Sequence, residues 1–228
     1  MWKFVIYAII GILNIISIAT GYSALNYVTK VLLIPCLMWI VPTKNKADIV
    51  IYFALFFSWL GDIFLMFPRV HYSETMRLIL FLSGLISFLI THILYIFYFI
   101  NEHKPALKAG IMVQKPYLFV PFVLYLLAFI SYLFPHLGAL KIPIVIYGLC
   151  IVAMSVAALN RKGFIPNKSF YFVFCGSLLF IASDTILASE IFIQKMEWQR
   201  IAIMATYILA QALIVKGITA KYITLGKN

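Results

Sequence analysis

The sequence predicts an all-α integral membrane protein, a bundle of eight transmembrane helices forming one domain over residues 1–228. Three observations carry that expectation. Hydrophobic residues make up 64% of the chain and charged residues 11%, at a mean hydropathy of +1.05. A soluble domain cannot hide that much apolar surface, because its outer shell would have to be apolar too. Apolar runs of about 18–22 residues recur from end to end, each long enough to cross ~30 Å of hydrocarbon. The charged stretches between them are short, and none is long enough to fold alone.

The spans fall at about 4–20, 22–41, 48–67, 77–100, 116–135, 141–160, 169–190 and 200–220. The first, MWKFVIYAIIGILNIISIA, has a signal-like basic residue and apolar core. No small-x-small cleavage site follows at the right distance, so it is kept as a span. Thr20-Gly21 separates it from the second. The Lys/Asn run at 44–46 precedes the third, and Pro68, Pro105, Pro116, Pro135 and Pro166 punctuate the rest.

An even number of spans returns both termini to one side. That side carries Lys3, Lys44, Lys46, Lys104, Lys108, Lys115, Arg161, Lys162, Lys168, Lys216, Lys221 and Lys227. The other carries only Arg69, Arg77, Lys141, Lys195 and Arg200. The positive-inside rule then puts both termini in the cytoplasm, and the expected location is a bacterial inner membrane. The net charge of +11 is thus topological, with anionic lipid as a compatible partner and nucleic acid excluded.

Against this background, two carboxylates stand inside apolar runs: Asp62 in FFSWLGDIFLMF and Asp184 in GSLLFIASDTILA. An Asp near a bilayer centre costs roughly 2.5–3.5 kcal/mol on insertion scales. Both spans start from the cytoplasmic side, so the two groups reach a similar depth in the outer half. Lys30, entering from the other side, reaches a comparable level, roughly 12 Å in, although a lysine there can also snorkel to the headgroups. Tyr207 and Gln211, one turn apart on the eighth span, fall near this layer, as does Tyr147. Asn14, nearer the middle of the first span, is positioned to join them. Polar residues inside bundles often serve only as interhelical glue, which suits Asn14, Ser58 and Thr206. It suits the aspartates poorly, since Asn or Ser would do the same at smaller cost.

On the fourth span Phe81, Gly84, Phe88, His92 and Tyr95 form one helical stripe. A lone His on such a stripe is more often packed core than catalyst, and His92 falls in the cytoplasmic half. Cys36, Cys150 and Cys175 lie in apolar runs and form no ligand spacing. The two Asp segments share a form, small-Asp-x-x-Leu (Gly61-Asp62 to Leu65, Ser183-Asp184 to Leu187), on spans that run the same way. That pattern points to a 4+4 parallel repeat.

No metal-ligand cluster, G-x-S-x-G elbow or Gly-rich phosphate loop is present, so no metal and no cofactor is expected. What remains is a carboxylate pair with a lysine and phenols. One carboxyl that keeps its proton beside one that is ionised suits chemistry through an oxocarbenium-like cation. It equally suits carrying protons, as in a proton-coupled transporter or flippase.

Taken together, FFSWLGDIFLM at 56–66, F-x-x-G-x-x-x-F-x-x-x-H-x-x-Y at 81–95, Tyr147 and Met154, G-x-x-x-F-x-x-S-D at 176–184 with Ala188, and T-Y-x-x-A-Q at 206–211 resemble the lysoplasmalogenase family of YhhN-like membrane proteins. One departure is that the family pattern follows the second-span lysine directly with proline, whereas Val31 follows Lys30 here and the proline is Pro35. The resemblance implies hydrolysis of the vinyl ether bond of a lysophospholipid to a fatty aldehyde and a glycerophospho-alcohol. Asp62 and Asp184 would divide the acid and base roles. Lys30 would tune a carboxylate or meet the substrate phosphate, and Tyr207 and Gln211 would position water or the glycerol hydroxyl.

Overall fold

The computed structural model describes residues 2–42, 46–67, 72–102 and 110–225. Lys44, Arg69, Lys104, Lys108 and Lys227, used above for orientation, lie outside them, as do Pro68, Pro105 and the side chain of Lys46. Every regular element among the described residues is helical: α1 Trp2–Thr20, α2 Ser23–Met38, α3 Lys46–Met66, α4 Glu74–Asn101, the single turn α5 Ile111–Gln114, α6 Val120–Leu133, α7 Lys141–Asn160, α8 Asn167–Phe192 and α9 Glu197–Leu225. Short 3₁₀ turns extend α6 at both ends, from Pro116 to His136, and Gly138–Leu140 leads into α7.

Seven of these stretches are long and apolar enough to cross a membrane, and the protein is an integral, multi-pass membrane protein. The expected second span is the exception. It is a helix of 16 residues that closes at Met38 rather than Val41. Pro35 stands inside it, and a proline weakens the turn before it by withholding an N–H. Past Met38 the chain tightens into a turn, with the Ile40 N–H donating to the Leu37 carbonyl at 2.9 Å.

The outward faces are oily. Ile9, Ile12 and Ile16 on α1, Val123, Leu124 and Leu127 on α6, and Ile142, Ile146 and Leu149 on α7 are all exposed. In water such stripes would drive aggregation; in hydrocarbon they are an ordinary surface. Aromatics and a lysine mark one boundary, at the start of α1 and the end of α2. The Trp2 and Trp39 rings meet edge-on at 4.8 Å, and Lys3 Nζ donates to the Trp39 carbonyl at 3.0 Å. Trp and Lys at that position fit the headgroup level.

The chain separates into two compact units, Met1–Tyr95 and Ile96–Asn228. In the first, α1 and α2 form a hairpin closed by polar bonds: Asn14 Nδ2 donates to Thr29 Oγ1 at 3.0 Å, and Asn26 Nδ2 to Ser17 Oγ at 3.2 Å. The second unit holds a charge cluster built on two of the bases that mark one membrane side, Arg161 and Lys221. Arg161 is fully buried. Its Nε donates to Glu102 Oε2 at 2.6 Å, its Nη2 to Ser169 Oγ at 3.3 Å, and Lys221 Nζ reaches Glu102 Oε1 at 2.9 Å. The guanidinium lies over the Phe99 ring at 5.0 Å, which accounts for burial of a planar cation there.

Candidate active site

Two aspartate neighbourhoods stand out, one in each unit. In the first, Asp62 sits on the last turn but one of α3 and is buried. The bare backbone of Gly61 makes room for its surroundings: a Cβ there would come within 2.6 Å of the Phe88 ring on α4. Gly84 does the reverse, since its Cβ would lie 2.7 Å from Leu65 Cδ2 on α3. The α3 and α4 motifs are therefore two sides of one close approach. Thr91 Oγ1 adds a bond to the Ala54 carbonyl at 3.0 Å.

Lys30 on α2 faces this carboxylate, with Nζ 3.9 Å from Asp62 Oδ1. The lysine expected to tune a carboxylate is thus beside Asp62 as its counter-ion. Tyr7 on α1, buried, lies within electrostatic reach of Asp62. His92 is fully buried on the inward stripe with Phe88 and Tyr95. Asn14 is engaged in the α1–α2 hairpin, where Nδ2 also approaches the Asn26 carbonyl at 3.3 Å.

In the second unit, Asp184 projects from α8, and the Tyr147 hydroxyl on α7 donates a hydrogen bond to its Oδ2. Ser183, the small residue of the motif, donates through Oγ to the Ile203 carbonyl at 3.1 Å and so ties α8 to α9. The shared small residue therefore does different work in the two motifs, close approach at Gly61 and an interhelical bond at Ser183. Thr185 donates to the Ile181 carbonyl at 2.6 Å and shares a 2.6 Å contact with the Tyr125 hydroxyl of α6. Since the threonine proton is committed to its own helix, Tyr125 is the donor across that contact. The Tyr125 ring stacks on Phe129 at 5.8 Å, which fixes its aim.

Tyr207 and Gln211, predicted to share a face, do so. Both are buried on α9, and Gln211 Nε2 reaches the Tyr207 hydroxyl at 3.5 Å. The Tyr207 ring meets Phe180 of α8 edge-to-face at 5.6 Å. Tyr7 and Tyr125 had not been singled out from the sequence. Each is one aromatic among 14 Tyr and 20 Phe, and only the phase of its helix reveals where it faces.

The two carboxylates thus differ in kind. One is ion-paired with an ammonium, and the other is hydrogen-bonded by a phenol and half-buried. Among the described residues no three His, Cys, Asp or Glu side chains gather as a metal would require.

The chain resembles proteins of known name over most of its length. It is 27% identical over 194 residues to the human protein "Lysoplasmalogenase TMEM86B", covering 85% of this chain and 74% of that one. The rat protein of the same name is 27% identical over 193 residues, covering 84% and 71%. The pig protein is 30% identical over 161 residues, covering 71% and 59%. No solved structure matches. The YhhN family pattern matches residues 25–218, from before Lys30 to beyond Gln211. The protein belongs to the YhhN family.

Proposed function

We propose that this protein is a lysoplasmalogenase, a membrane hydrolase that opens the vinyl ether bond of a lysoplasmalogen by carboxyl acid–base chemistry at Asp62 and Asp184. The observation that carries the reading is the unlike partnering of two carboxylates, each among the apolar helices of its own unit, Asp62 with the Lys30 ammonium and Asp184 with the Tyr147 phenol. The names of the relatives support it.

A carboxylic acid delivers its proton to the vinyl carbon farther from the ether oxygen. The electron pair of the double bond takes that proton, and the adjacent carbon becomes an oxocarbenium ion. The second carboxylate stabilises this cation and orients a water. Water adds, its surplus proton returns to a carboxylate, and the hemiacetal collapses to aldehyde and glycerophospho-alcohol. Asp62, held as an ion pair, suits the anionic role. Asp184, bonded to a hydroxyl and partly accessible, suits the role that gives up a proton. Tyr207 and Gln211 position water or the glycerol hydroxyl, and the alkenyl tail lies among the aromatic helices.

Counting Ser23–Met38 as a crossing gives eight crossings, with both termini on the base-rich, cytoplasmic side. The boundary between the two compact units, near Tyr95, supports the 4+4 repeat, because each unit then holds four apolar helical stretches.

The test is turnover in D₂O. Purified protein given lysoplasmalogen should release aldehyde carrying one solvent deuterium on the carbon next to its carbonyl, read by mass spectrometry of freshly trapped product. Aldehyde formed without that deuterium excludes protonation at carbon. The saturated ether lysolipid, having no double bond to protonate, should inhibit without turning over.

A further inference from the structure

Pro35 stands inside α2. With no N–H, it cannot close the helical bond to the carbonyl four residues back, which belongs to Val31. In a bilayer no water replaces the missing donor, and an unmatched carbonyl is costly. The donor comes from another helix: the Trp59 indole Nε1 of α3 donates to the Val31 carbonyl at 3.0 Å. Val31 is the neighbour of Lys30, and Trp59 lies three residues before Asp62, on the same side of α3. Two adjacent residues of α2 thus meet two residues of α3 one turn apart, once through Trp59 and Val31 at 3.0 Å and once through Lys30 and Asp62 at 3.9 Å.

We propose that Trp59 is a positioning residue: by occupying the carbonyl that Pro35 frees, it fixes the rotation of α2 that presents Lys30 to Asp62. The ion-pair distance of 3.9 Å is at the outer limit of a bridge, so a small rotation of α2 opens it. The indole bond fixes that rotation where the lysine side chain, long and flexible, cannot. The ring also packs on Phe56, at 6.2 Å between centroids, and phenylalanine would keep that packing while losing the N–H. This inference rests on the roles given above to Asp62 and Lys30.

Full-length protein in nanodiscs, as Trp59→Phe, Pro35→Ala, Lys30→Met and the doubles P35A/W59F and K30M/W59F, tests it with two readouts. The first is aldehyde release. The second is independent of catalysis: dicyclohexylcarbodiimide modifies a protonated carboxyl, so its rate at Asp62, read on the 56–66 peptide, reports how firmly Lys30 holds that group as an anion. Trp59→Phe should lower kcat about two- to tenfold, the range for one hydrogen bond, leave KM unchanged and speed Asp62 labelling in proportion. In P35A/W59F both should return to the Pro35→Ala values, because the new N–H at position 35 takes the Val31 carbonyl. In K30M/W59F turnover should match Lys30→Met alone.

A loss that persists in the Pro35→Ala background, or that adds to Lys30→Met, would overturn the proposal and make Trp59 a packing residue. So would lowered thermal stability with labelling of Asp62 unchanged. If wild-type protein releases no aldehyde, the enzymatic reading fails, and the labelling cycle still decides the joint.

Discussion

In the proposed reaction, Asp62 and Asp184 are the residues on which the chemistry turns. Asp62→Asn and Asp184→Asn should each lower turnover by about 10²–10⁴-fold while thermal unfolding in detergent stays near wild type, since the amide keeps the size. A variant keeping more than about a tenth of turnover would remove that residue from an acid or base role. Tyr147→Phe takes away the hydrogen bond to Asp184 but leaves the ring. A neutral hydrogen bond of this kind is worth about 0.5–1.5 kcal/mol, so kcat should fall about two- to tenfold. A change confined to KM would instead make Tyr147 a substrate contact. These side chains were legible in the sequence for one reason: a charge inside an apolar run has no cheap explanation. Trp59 and Tyr125 carried no such mark. An aromatic in an aromatic-rich span costs nothing to bury, and its bonding polar atom is seen only when a partner helix is in place.

At the scale of helices, the apolar runs announced their order, while their ends, and whether the run around Pro35 is long enough to cross, were less visible. The α2 helix ends at Met38 although Trp39, Ile40 and Val41 continue the apolar run, because hydropathy does not register the loosened turn around Pro35. The close approach of α3 and α4 was half legible. Gly61 and Gly84 were noticed in separate motifs, but that each faces a large side chain of the other helix depends on register. Gly84→Val should therefore destabilise by about 1–3 kcal/mol, the usual cost of overpacking, seen as a lower midpoint in thermal unfolding. An unchanged midpoint would mean that Leu65 moves aside freely.

For the whole molecule, the count of loop bases used Arg161 and Lys221 only as markers of one membrane side. In the second unit they also hold Glu102 between them, with the Arg161 side chain fully buried and Glu102 4% exposed. A one-dimensional count cannot separate these cases, because a base at a span end has the same sequence context whether it faces water or another helix. Glu102→Ala would leave two cations uncompensated and should cost about 3–5 kcal/mol, read as a loss of folded protein on heating in detergent. Loss of activity at an unchanged unfolding midpoint would point away from a structural role.

The brevity of α2 bears on which membranes the protein works in. Its 16 residues span about 24 Å, against a hydrocarbon core of ~30 Å. Trp2, Lys3 and Trp39 moor one end at the headgroup level, so the shortfall gathers at the other. A bilayer meets such a mismatch by thinning beside the helix. On the proposed reading, with α2 a crossing and a lysolipid the substrate, the phosphates of that leaflet are then brought down toward Lys30, and a lysolipid anchored among them needs to sink less far to reach Asp62. Turnover should accordingly be faster in nanodiscs of short-chain lipid than in nanodiscs of long-chain lipid at equal headgroup composition. A rate indifferent to acyl length would show that the membrane keeps its full thickness along α2.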